Sequence, residues 1–214
     1  RSVHDSPPII GGIDEAGRGP LAGPVGAAAC YLPPLAVTKK HRSFGAWVPT
    51  TSQNDCLIAD SKQLSPAQRE TAYTWIMAHC VVGVGMRDQH CIDTEGILTA
   101  TEQSMQEAVA ALSTVITPTY LLIDGRDKFW FDYPHSSIIR GDDLEPTIAA
   151  ASIVAKVTRD RLMIEAAQTF PQYGFAEHKG YGSPTHISAI RQHGPCSLHR
   201  MSYLTSLINT AAVH

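Results

Sequence analysis

The fold is decided by residues 8–32, PIIGGIDEAGRGPLAGPVGAAACYL, near the start of the 214-residue sequence. Residues 8–14 form an apolar run typical of a short buried strand, and residues 23–32 form a second one. The glycine-rich connection between them ends the first run on an acidic pair. This pattern predicts two neighbouring strands that pair like a hairpin through a special connection.

The remainder of the chain alternates helix and strand patterns. Ser65 and Gln68 form a capping box with Pro66 between them, which predicts a helix that runs to about Ala78. Apolar periodicity predicts further helices at residues 92–112, 146–170, 184–192 and 202–212, and further strands at residues 81–86, 120–123 and 137–139. We interpret residues 33–55 as an irregular surface excursion. The alternation predicts an α/β fold in which helices cover a sheet.

Composition limits the class of protein. The 43% hydrophobic content is enough for the core of one globular domain. The five cysteines form an odd set without a C-x-x-C pair, which argues against a disulfide framework and a structural zinc site. Such cysteine usage is typical of a reducing, cytoplasmic compartment. No apolar run approaches the roughly 18 residues of a membrane span, so no membrane partner is expected.

The net charge of −3 speaks weakly against a nucleic-acid partner, because such proteins are usually basic. Its distribution weakens that objection. From Arg140 to His214 there are seven Lys and Arg against six Asp and Glu, and three of the acids cluster at Asp142, Asp143 and Glu145. An acidic pocket within basic surface is what a metal-dependent phosphodiesterase would need.

Four carboxylates lie at or just after the ends of predicted strands: Asp14, Glu15, Asp124 and Asp142. In open α/β sheets, ligands bind at strand ends. Carboxylates gathered there would repel one another and raise each other's pKa values unless a cation lay among them. Mg²⁺ and Mn²⁺ prefer oxygen ligands, and two such ions can promote an in-line phosphodiester displacement. Any one aspartate could equally be a turn cap, but the set of four favours a metal site.

Several sequence blocks resemble the ribonuclease HII family. Residues 12–25 (GIDEAGRGPLAGPV) are similar to its opening motif and residues 60–65 (DSKQLS) to its second block. The later blocks follow in family order at residues 122–125, 141–160, 178–182 and 199–200. The first and fourth are long enough to be specific. Ribonuclease HIII, a related type, has a different pattern at Gly17-Arg18-Gly19 and an added N-terminal domain, so type HII is expected.

The resemblance implies a ribonuclease H-like mixed sheet flanked by helices, with Asp14, Glu15, Asp124 and Asp142 as catalytic ligands of Mg²⁺ or Mn²⁺. It implies one catalytic domain over residues 1–214, with a core at about 9–170 and a helical C-terminal extension at about 171–214. The implied activity is hydrolysis of RNA in RNA–DNA hybrids and nicking of DNA on the 5′ side of embedded ribonucleotides.

Substrate contacts are implied as well. The backbone of Gly17, Arg18 and Gly19 would read the ribose 2′-OH, the group that distinguishes RNA from DNA. Tyr181 would pack on the following deoxyribose, although it could instead be a core aromatic. Other candidates for phosphate contact are Ser61, Lys62, Lys156, Arg159 and Lys179, each of which is equally compatible with a turn or a solvated charge.

One assignment stays open, and several residues are given structural rather than functional roles. Asp143 directly follows Asp142, so the sequence leaves open which of the two reaches metal, although the family pattern favours Asp142. Asp160 is expected to pair with Lys156 one turn earlier. Ser152 is interpreted as a close-packing residue. The ten histidines lack metal-binding spacing and are expected to be non-catalytic.

Three other functions compete with this interpretation. One is another ribonuclease H-like metal nuclease, such as an integrase or a resolvase, which the Gly-Arg-Gly loop and Tyr181 disfavour. A second is a binding module that has lost catalysis, but no carboxylate is missing. A small-molecule enzyme that binds phosphate at Gly11-Gly12 lacks the expected glycine pattern. We expect a monomer, and no sliding-clamp peptide is evident near the C-terminus.

Overall fold

The computed structural model describes residues 7–39, 45–51 and 56–209. Seven strands are present in these ranges: β1 (Ile10–Ala16), β2 (Val25–Tyr31), β3 (Val37–Lys39), β4 (Trp47–Pro49), β5 (Val81–Arg87), β6 (Tyr120–Asp124) and β7 (His135–Ile138). The helices are α1 (Pro66–His79), α2 (Gln89–Glu95), α3 (Ile97–Ser113), α4 (Gly141–Leu144), α5 (Pro146–Thr169), α6 (Phe175–His178), α7 (Pro184–His193) and α8 (Met201–Asn209), with a 3₁₀ turn at Pro171–Tyr173.

Five of the strands form one mixed sheet in the order β5-β2-β1-β6-β7. β1 and β2 pair antiparallel, which confirms the predicted hairpin-like pair, whereas β6 lies parallel to β1 and β7 parallel to β6. Ile13 lies opposite Ile123 across the β1–β6 pair. Because the two strands are parallel, their carboxyl ends, with Asp14 and Asp124, meet at the same edge of the sheet.

Helices cover both faces of this sheet. Alternate residues of β2 point to opposite sides, as strand geometry requires. Ala28 and Cys30 pack in the core formed with α1 and α5. Ala27 and Ala29 pack in the core formed with α3. The expected fold class, an α/β sheet between helical layers, is confirmed.

One glycine sets the distance between β1 and α5. A Cβ at Gly12 would lie 2.3 Å from the backbone carbon of Thr147 and 2.4 Å from the backbone nitrogen of Ile148. Only a residue without a side chain permits this approach. Three alanines that follow in α5, Ala149, Ala150 and Ala151, are fully buried and continue the close packing. The long helix is thereby held directly behind the strand that carries Asp14.

The capping box predicted for α1 is confirmed. The Ser65 hydroxyl accepts from the Gln68 N–H at 3.3 Å, and the Gln68 side chain accepts from the Ser65 N–H at 2.9 Å. The helix predicted at residues 92–112 is instead two helices, because Gly96 adopts a φ of +86° and ends α2 before α3 begins. The prediction of one continuous helix is therefore wrong at this position.

Residues 33–55 are less irregular than expected. The described parts of this stretch include two short antiparallel strands, β3 and β4, and Trp47 also bridges to Ile58. Residues 40–44 and 52–55, and residues 210–212 of the last predicted helix, lie outside the described residues. All five cysteines are free thiols in the structure. Among the described helices, none combines the length and apolarity needed to cross a membrane.

Candidate metal and nucleic-acid site

Three carboxylates converge at the carboxyl edge of the sheet. One oxygen each from Asp14, Asp124 and Asp142 lies within 4.8 Å of the other two. Asp14 ends the apolar part of β1 and Asp124 is the last residue of β6. Asp142 is delivered by α4, whose start is tied to the sheet because the Gly141 N–H donates to Asp124 Oδ1 at 2.7 Å. We call these three residues the carboxylate cluster.

Keeping all three carboxylates ionised without a cation is unfavourable in free energy. Burial raises the pKa of Asp14 well above its usual value, and the charges of Glu15 and Asp124 raise it further. Burial, followed by the charges of Asp124 and Asp60, raises the pKa of Asp142 to about 7. Hard oxygen donors that repel one another at this spacing are a suitable ligand set for Mg²⁺ or Mn²⁺.

Glu15 lies beside the cluster rather than within it. Its carboxylate faces Arg18, whose Nη1 lies 3.3 Å away and also donates to Asp127 at 2.7 Å. Burial raises the pKa of Glu15, although the Arg18 charge opposes that effect. Glu15 is thus close enough to feel the charge of Asp124 but is held by an ion pair.

The structure brings Asp142, and not Asp143, into the cluster. The Asp143 carboxylate accepts instead from Arg140 Nε at 2.9 Å and from Gln63 Nε2 at 2.7 Å. Arg140 adopts a left-handed conformation with φ of 57°, which turns the chain into α4. Sequence alone could not separate two adjacent aspartates, because the distinction depends on this turn.

The Gly-Arg-Gly loop, residues 17–19, is supported by two buried arginines. Arg200 donates to the carbonyls of Gly17 at 2.6 Å and Arg18 at 3.0 Å. Arg159 donates to the carbonyls of Ala22, Pro24 and Lys179 at 2.8–3.1 Å. Both guanidiniums are at most 1% exposed. Arg200 therefore fixes the loop itself through its carbonyl groups, and Arg159 fixes Ala22 and Pro24, which follow the loop.

These contacts correct one sequence prediction and add one residue that it missed. Arg159 cannot be a phosphate contact, since its side chain is buried and its donors are used by backbone carbonyls. Arg200 carried no predicted role, although it stands in the block at residues 199–200 that suggested the family. Its position beside a histidine in that block was the available signal.

Tyr181 lies at the rim of the loop and is not a core aromatic. Its side chain is 43% exposed. A Cβ on Gly19 would lie 3.9 Å from the tyrosine ring, and Lys156 Nζ lies 5.7 Å from the ring centroid. The Gly180 carbonyl accepts from the Leu21 N–H at 2.8 Å, which ties the tyrosine segment to the loop.

The remaining candidates differ in exposure and in their partners. Lys62 is exposed, and burial lowers its pKa less than the charges of Asp60, Asp14, Asp142 and Asp124 raise it. Lys156 pairs with Asp160 at 2.8 Å, as predicted. The Lys179 amine donates to the carbonyls of Ala176 and Glu177 in its own turn. Ser61 is buried and its hydroxyl accepts from Ser152 at 2.9 Å, so Ser152 does more than pack closely.

Two buried histidines, His186 and His199, are held in their neutral forms by hydrogen bonds, one of them to the carbonyl of Tyr181. His186 Nδ1 lies 2.8 Å from the Tyr181 carbonyl and must donate to it. Its Nε2 must then accept from His199 Nε2 at 3.1 Å, and His199 Nδ1 accepts from the Cys196 N–H at 2.9 Å. Burial lowers the pKa of both residues, that of His186 to about 4. Neither ring can gain a proton without losing a hydrogen bond.

We expect this pair to make the fold acid-sensitive. A histidine with a depressed folded pKa stabilises the protein above the unfolded pKa of about 6.5, and that contribution is lost as pH falls toward 4. For His186 the loss by pH 4 is about 3 kcal/mol. His199→Gln should flatten this acid limb, because an amide can turn its oxygen toward a protonated His186. Urea unfolding of both proteins between pH 7 and 4.5 checks the difference; parallel curves would contradict it.

Comparisons with known proteins identify the family of the chain and relate its fold to solved structures. The family model described as Ribonuclease HII matches residues 11–206. A Ribonuclease HII from Geobacter metallireducens is 48% identical over 195 residues, which cover 91% of this chain and 83% of that protein.

Two solved structures share the fold. One is a chain from the PCNA:RNase HII complex of Archaeoglobus fulgidus, with a TM-score of 0.70 and 23% identity, covering 91% of this chain and 95% of that one. The other is Bst-RNase HIII in complex with Mn²⁺, with a TM-score of 0.63 and 18% identity, covering 96% of this chain and 70% of that one. At these identities the structures support the fold, and the sequence matches show that this chain belongs to the ribonuclease HII family and is a nuclease.

Proposed function

We propose that the protein hydrolyses the RNA strand of RNA–DNA hybrids and nicks duplex DNA on the 5′ side of embedded ribonucleotides, leaving a 3′-OH and a 5′-phosphate. The observation that carries this proposal is the placement of the carboxylate cluster beside the Gly-Arg-Gly loop and Tyr181. The cluster supplies a place for phosphodiester chemistry, and the loop supplies a place to recognise a ribose.

The residues fit a divalent metal. Asp14, Asp124 and Asp142 would hold it, with Glu15 at the side. Burial and mutual repulsion raise the pKa values of Asp14 and Asp142, and a bound cation would offset that repulsion. Two Mg²⁺ or Mn²⁺ ions bound there would activate the attacking water and stabilise the leaving 3′ oxygen. The similar Bst-RNase HIII is in complex with Mn²⁺, which supports this choice of ion.

Recognition of the ribose falls to the backbone of Gly17, Arg18 and Gly19. The carbonyls of Gly17 and Arg18 are engaged by Arg200, whereas the N–H groups of Arg18 and Gly19 donate to no other group among the described residues. A 2′-OH can accept from such an amide. Arg200 would thus orient the loop so that its donors face the substrate.

Phosphate and sugar contacts complete the assignment. Tyr181, exposed at the rim of the loop, would pack on the deoxyribose that follows the ribonucleotide. Lys62, Lys156 and Lys179 would contact phosphates. Ser61, the other candidate for a phosphate contact, is buried and its hydroxyl accepts from Ser152. Lys62 is the strongest of these candidates. The charges of the carboxylate cluster, which would face the scissile phosphate, raise the pKa of Lys62, so its amine lies near enough to interact with them.

The cellular setting follows from this activity. We infer a role in removing ribonucleotides from DNA, carried out by a monomer in the cytoplasm, and the five free thiols support a reducing compartment. The similar Archaeoglobus protein is in a complex with PCNA, so a sliding clamp is a candidate partner in addition to the nucleic acid.

Cleavage of three end-labelled duplexes tests the proposal: an RNA strand on DNA, DNA with one ribonucleotide, and all-DNA. We expect wild type to cut the first two, with the nick on the 5′ side of the single ribonucleotide, and to spare the third. Tyr181→Ala should slow the single-ribonucleotide reaction by roughly tenfold or more, since base or sugar stacking contributes about 1–3 kcal/mol.

Tyr181→Phe is the matched control, because it keeps the ring and should retain most of the activity. Cleavage of long RNA tracts alone would contradict the assignment to embedded ribonucleotides. Wild-type rates in a folded Tyr181→Ala protein would contradict the junction contact while leaving the nuclease assignment intact.

A further inference from the structure

Residues 126–130, which we call the outer segment, leave the site directly after Asp124 and Gly125. Their side chains alternate between inward and outward positions. Asp127 turns toward the Gly-Arg-Gly loop and accepts from Arg18 at 2.7 Å, and Phe129 is buried against α3. Arg126, Lys128 and Trp130 are all exposed.

The two cations of the outer segment are available to a ligand. Neither Arg126 nor Lys128 forms an ion pair with any described residue, whereas Asp127 between them is already paired with Arg18. The ion pair also fixes their position, because it joins the outer segment to the loop that faces the ribose in the proposed function. Two unpaired cations on a fixed segment next to a nuclease site are complementary to a phosphate backbone.

The side chain of Trp130 is exposed because its neighbours in the chain are buried and its backbone is fixed. Its neighbours Phe129 and Phe131 are 7% and 6% exposed in the core that includes Met105 and Val109, so the tryptophan between them points outward. Its own backbone is fixed on α3, since its N–H donates to Glu102 at 3.3 Å and its carbonyl accepts from Gln106 at 2.9 Å. The indole is nevertheless 62% exposed, so packing does not explain its presence.

We propose that Arg126, Lys128 and Trp130 form a second nucleic-acid contact, outside the cleavage site, in which the cations bind phosphates and the indole stacks on a sugar or base. This rests on the proposed function. The outer segment runs from the Arg18–Asp127 ion pair along α3, so it would hold the part of the duplex that extends past the loop. Asp132 is exposed and of opposite sign, which limits the contact to residues 126–130.

Tryptophan fluorescence tests the indole contact directly. Trp47 and Trp75 are 5% and 8% exposed, so acrylamide quenching reports mainly on Trp130. Ca²⁺ replaces the active metal, and a gel checks that the duplex stays intact. A long duplex with one ribonucleotide should lower the quenching constant at least twofold. The duplex is then shortened stepwise on one side of the ribonucleotide or on the other. Protection from quenching should be lost on shortening one side and kept on shortening the other. Trp130→Phe should remove the response.

Charge removal tests the phosphate contacts. Arg126→Gln/Lys128→Gln should weaken binding of the long duplex about tenfold and reduce the slope of log affinity against log salt by about 1 to 2. The cut position should not change. Arg161→Gln is the matched control: Arg161 is exposed and pairs with Glu70 of α1, on the opposite face of the sheet. It should leave both affinity and slope at wild-type values.

The outcomes separate this inference from the proposed function. If wild type fails to cut the single-ribonucleotide duplex, the proposed function is wrong. If wild type cuts it, but the double variant binds the long duplex within twofold of wild type and Trp130 stays quenchable in the complex, the second contact does not exist. In that case a protein partner would be the alternative ligand for the exposed Trp130.

Discussion

Asp124→Asn and Asp142→Asn should each abolish cleavage while making the metal-free protein more stable. Each substitution removes one charge from three carboxylates whose oxygens lie within 4.8 Å of one another. We expect the rate to fall by more than about 100-fold, beyond the range typical of groups that only support a metal ligand. Relief of repulsion should raise the Tm by roughly 3–6 °C, as expected for 1–2 kcal/mol in a protein of this size.

Metal titration extends the same argument. Mn²⁺ should raise the Tm of the wild-type protein, because an ion that binds only the folded state stabilises it by mass action. The response should be much smaller in either variant, since the charge of a proposed metal ligand is missing. Scanning calorimetry with and without Mn²⁺, together with single-turnover cleavage, measures both effects.

Asp143→Asn is the control for both variants. It removes the same charge at the neighbouring position, but Asp143 is engaged by Arg140 and Gln63 and stands outside the cluster. Cleavage by this variant should stay within a few fold of wild type. Full activity of wild type in EDTA, or equal losses in the Asp142 and Asp143 variants, would contradict the assignment of the cluster.

The sequence predicted the parts of the site that depend on local pattern. Asp14 and Asp124 follow apolar runs, and the parallel pairing of β1 with β6 then brings them to one edge. The capping box of α1 was equally readable, because its two hydrogen bonds join residues three positions apart. In these cases the physical interaction is short in sequence or follows from the regular geometry of a sheet.

The parts that could not be predicted depend on contacts between distant segments. Arg200 reaches the Gly17 carbonyl 183 positions away, and Arg159 reaches Pro24 across 135 positions. A buried arginine whose hydrogen bonds all go to carbonyls has no local signature, so the sequence leaves Arg159 open as a phosphate contact or a solvated charge, and it is neither. The break at Gly96 was missed for another reason: apolar spacing continues across it, and a single positive φ ends the helix.

Arg159 also makes the Gly-Arg-Gly loop intolerant of a side chain at its first position. Gly17 adopts a φ of +96°, and a Cβ there would lie 2.1 Å from Arg159 Nε. Gly17→Ala should therefore cost roughly 3 kcal/mol of folding stability, from backbone strain and displacement of the buried guanidinium. Cleavage of the single-ribonucleotide duplex should fall by more than about 100-fold, since under the proposed function a displaced loop would no longer position the ribose beside the cluster.

Gly19→Ala separates stability from recognition within the same loop. A Cβ at Gly19 would meet only the Tyr181 ring, at an ordinary 3.9 Å, so unfolding in urea should occur at nearly the wild-type midpoint. In the proposed function its methyl group would nevertheless stand where the ribose approaches the backbone, and cleavage should fall at least tenfold with folding intact. A stable Gly17→Ala protein would mean that Arg159 can move without cost, and a fully active Gly19→Ala protein would mean that the ribose is read elsewhere.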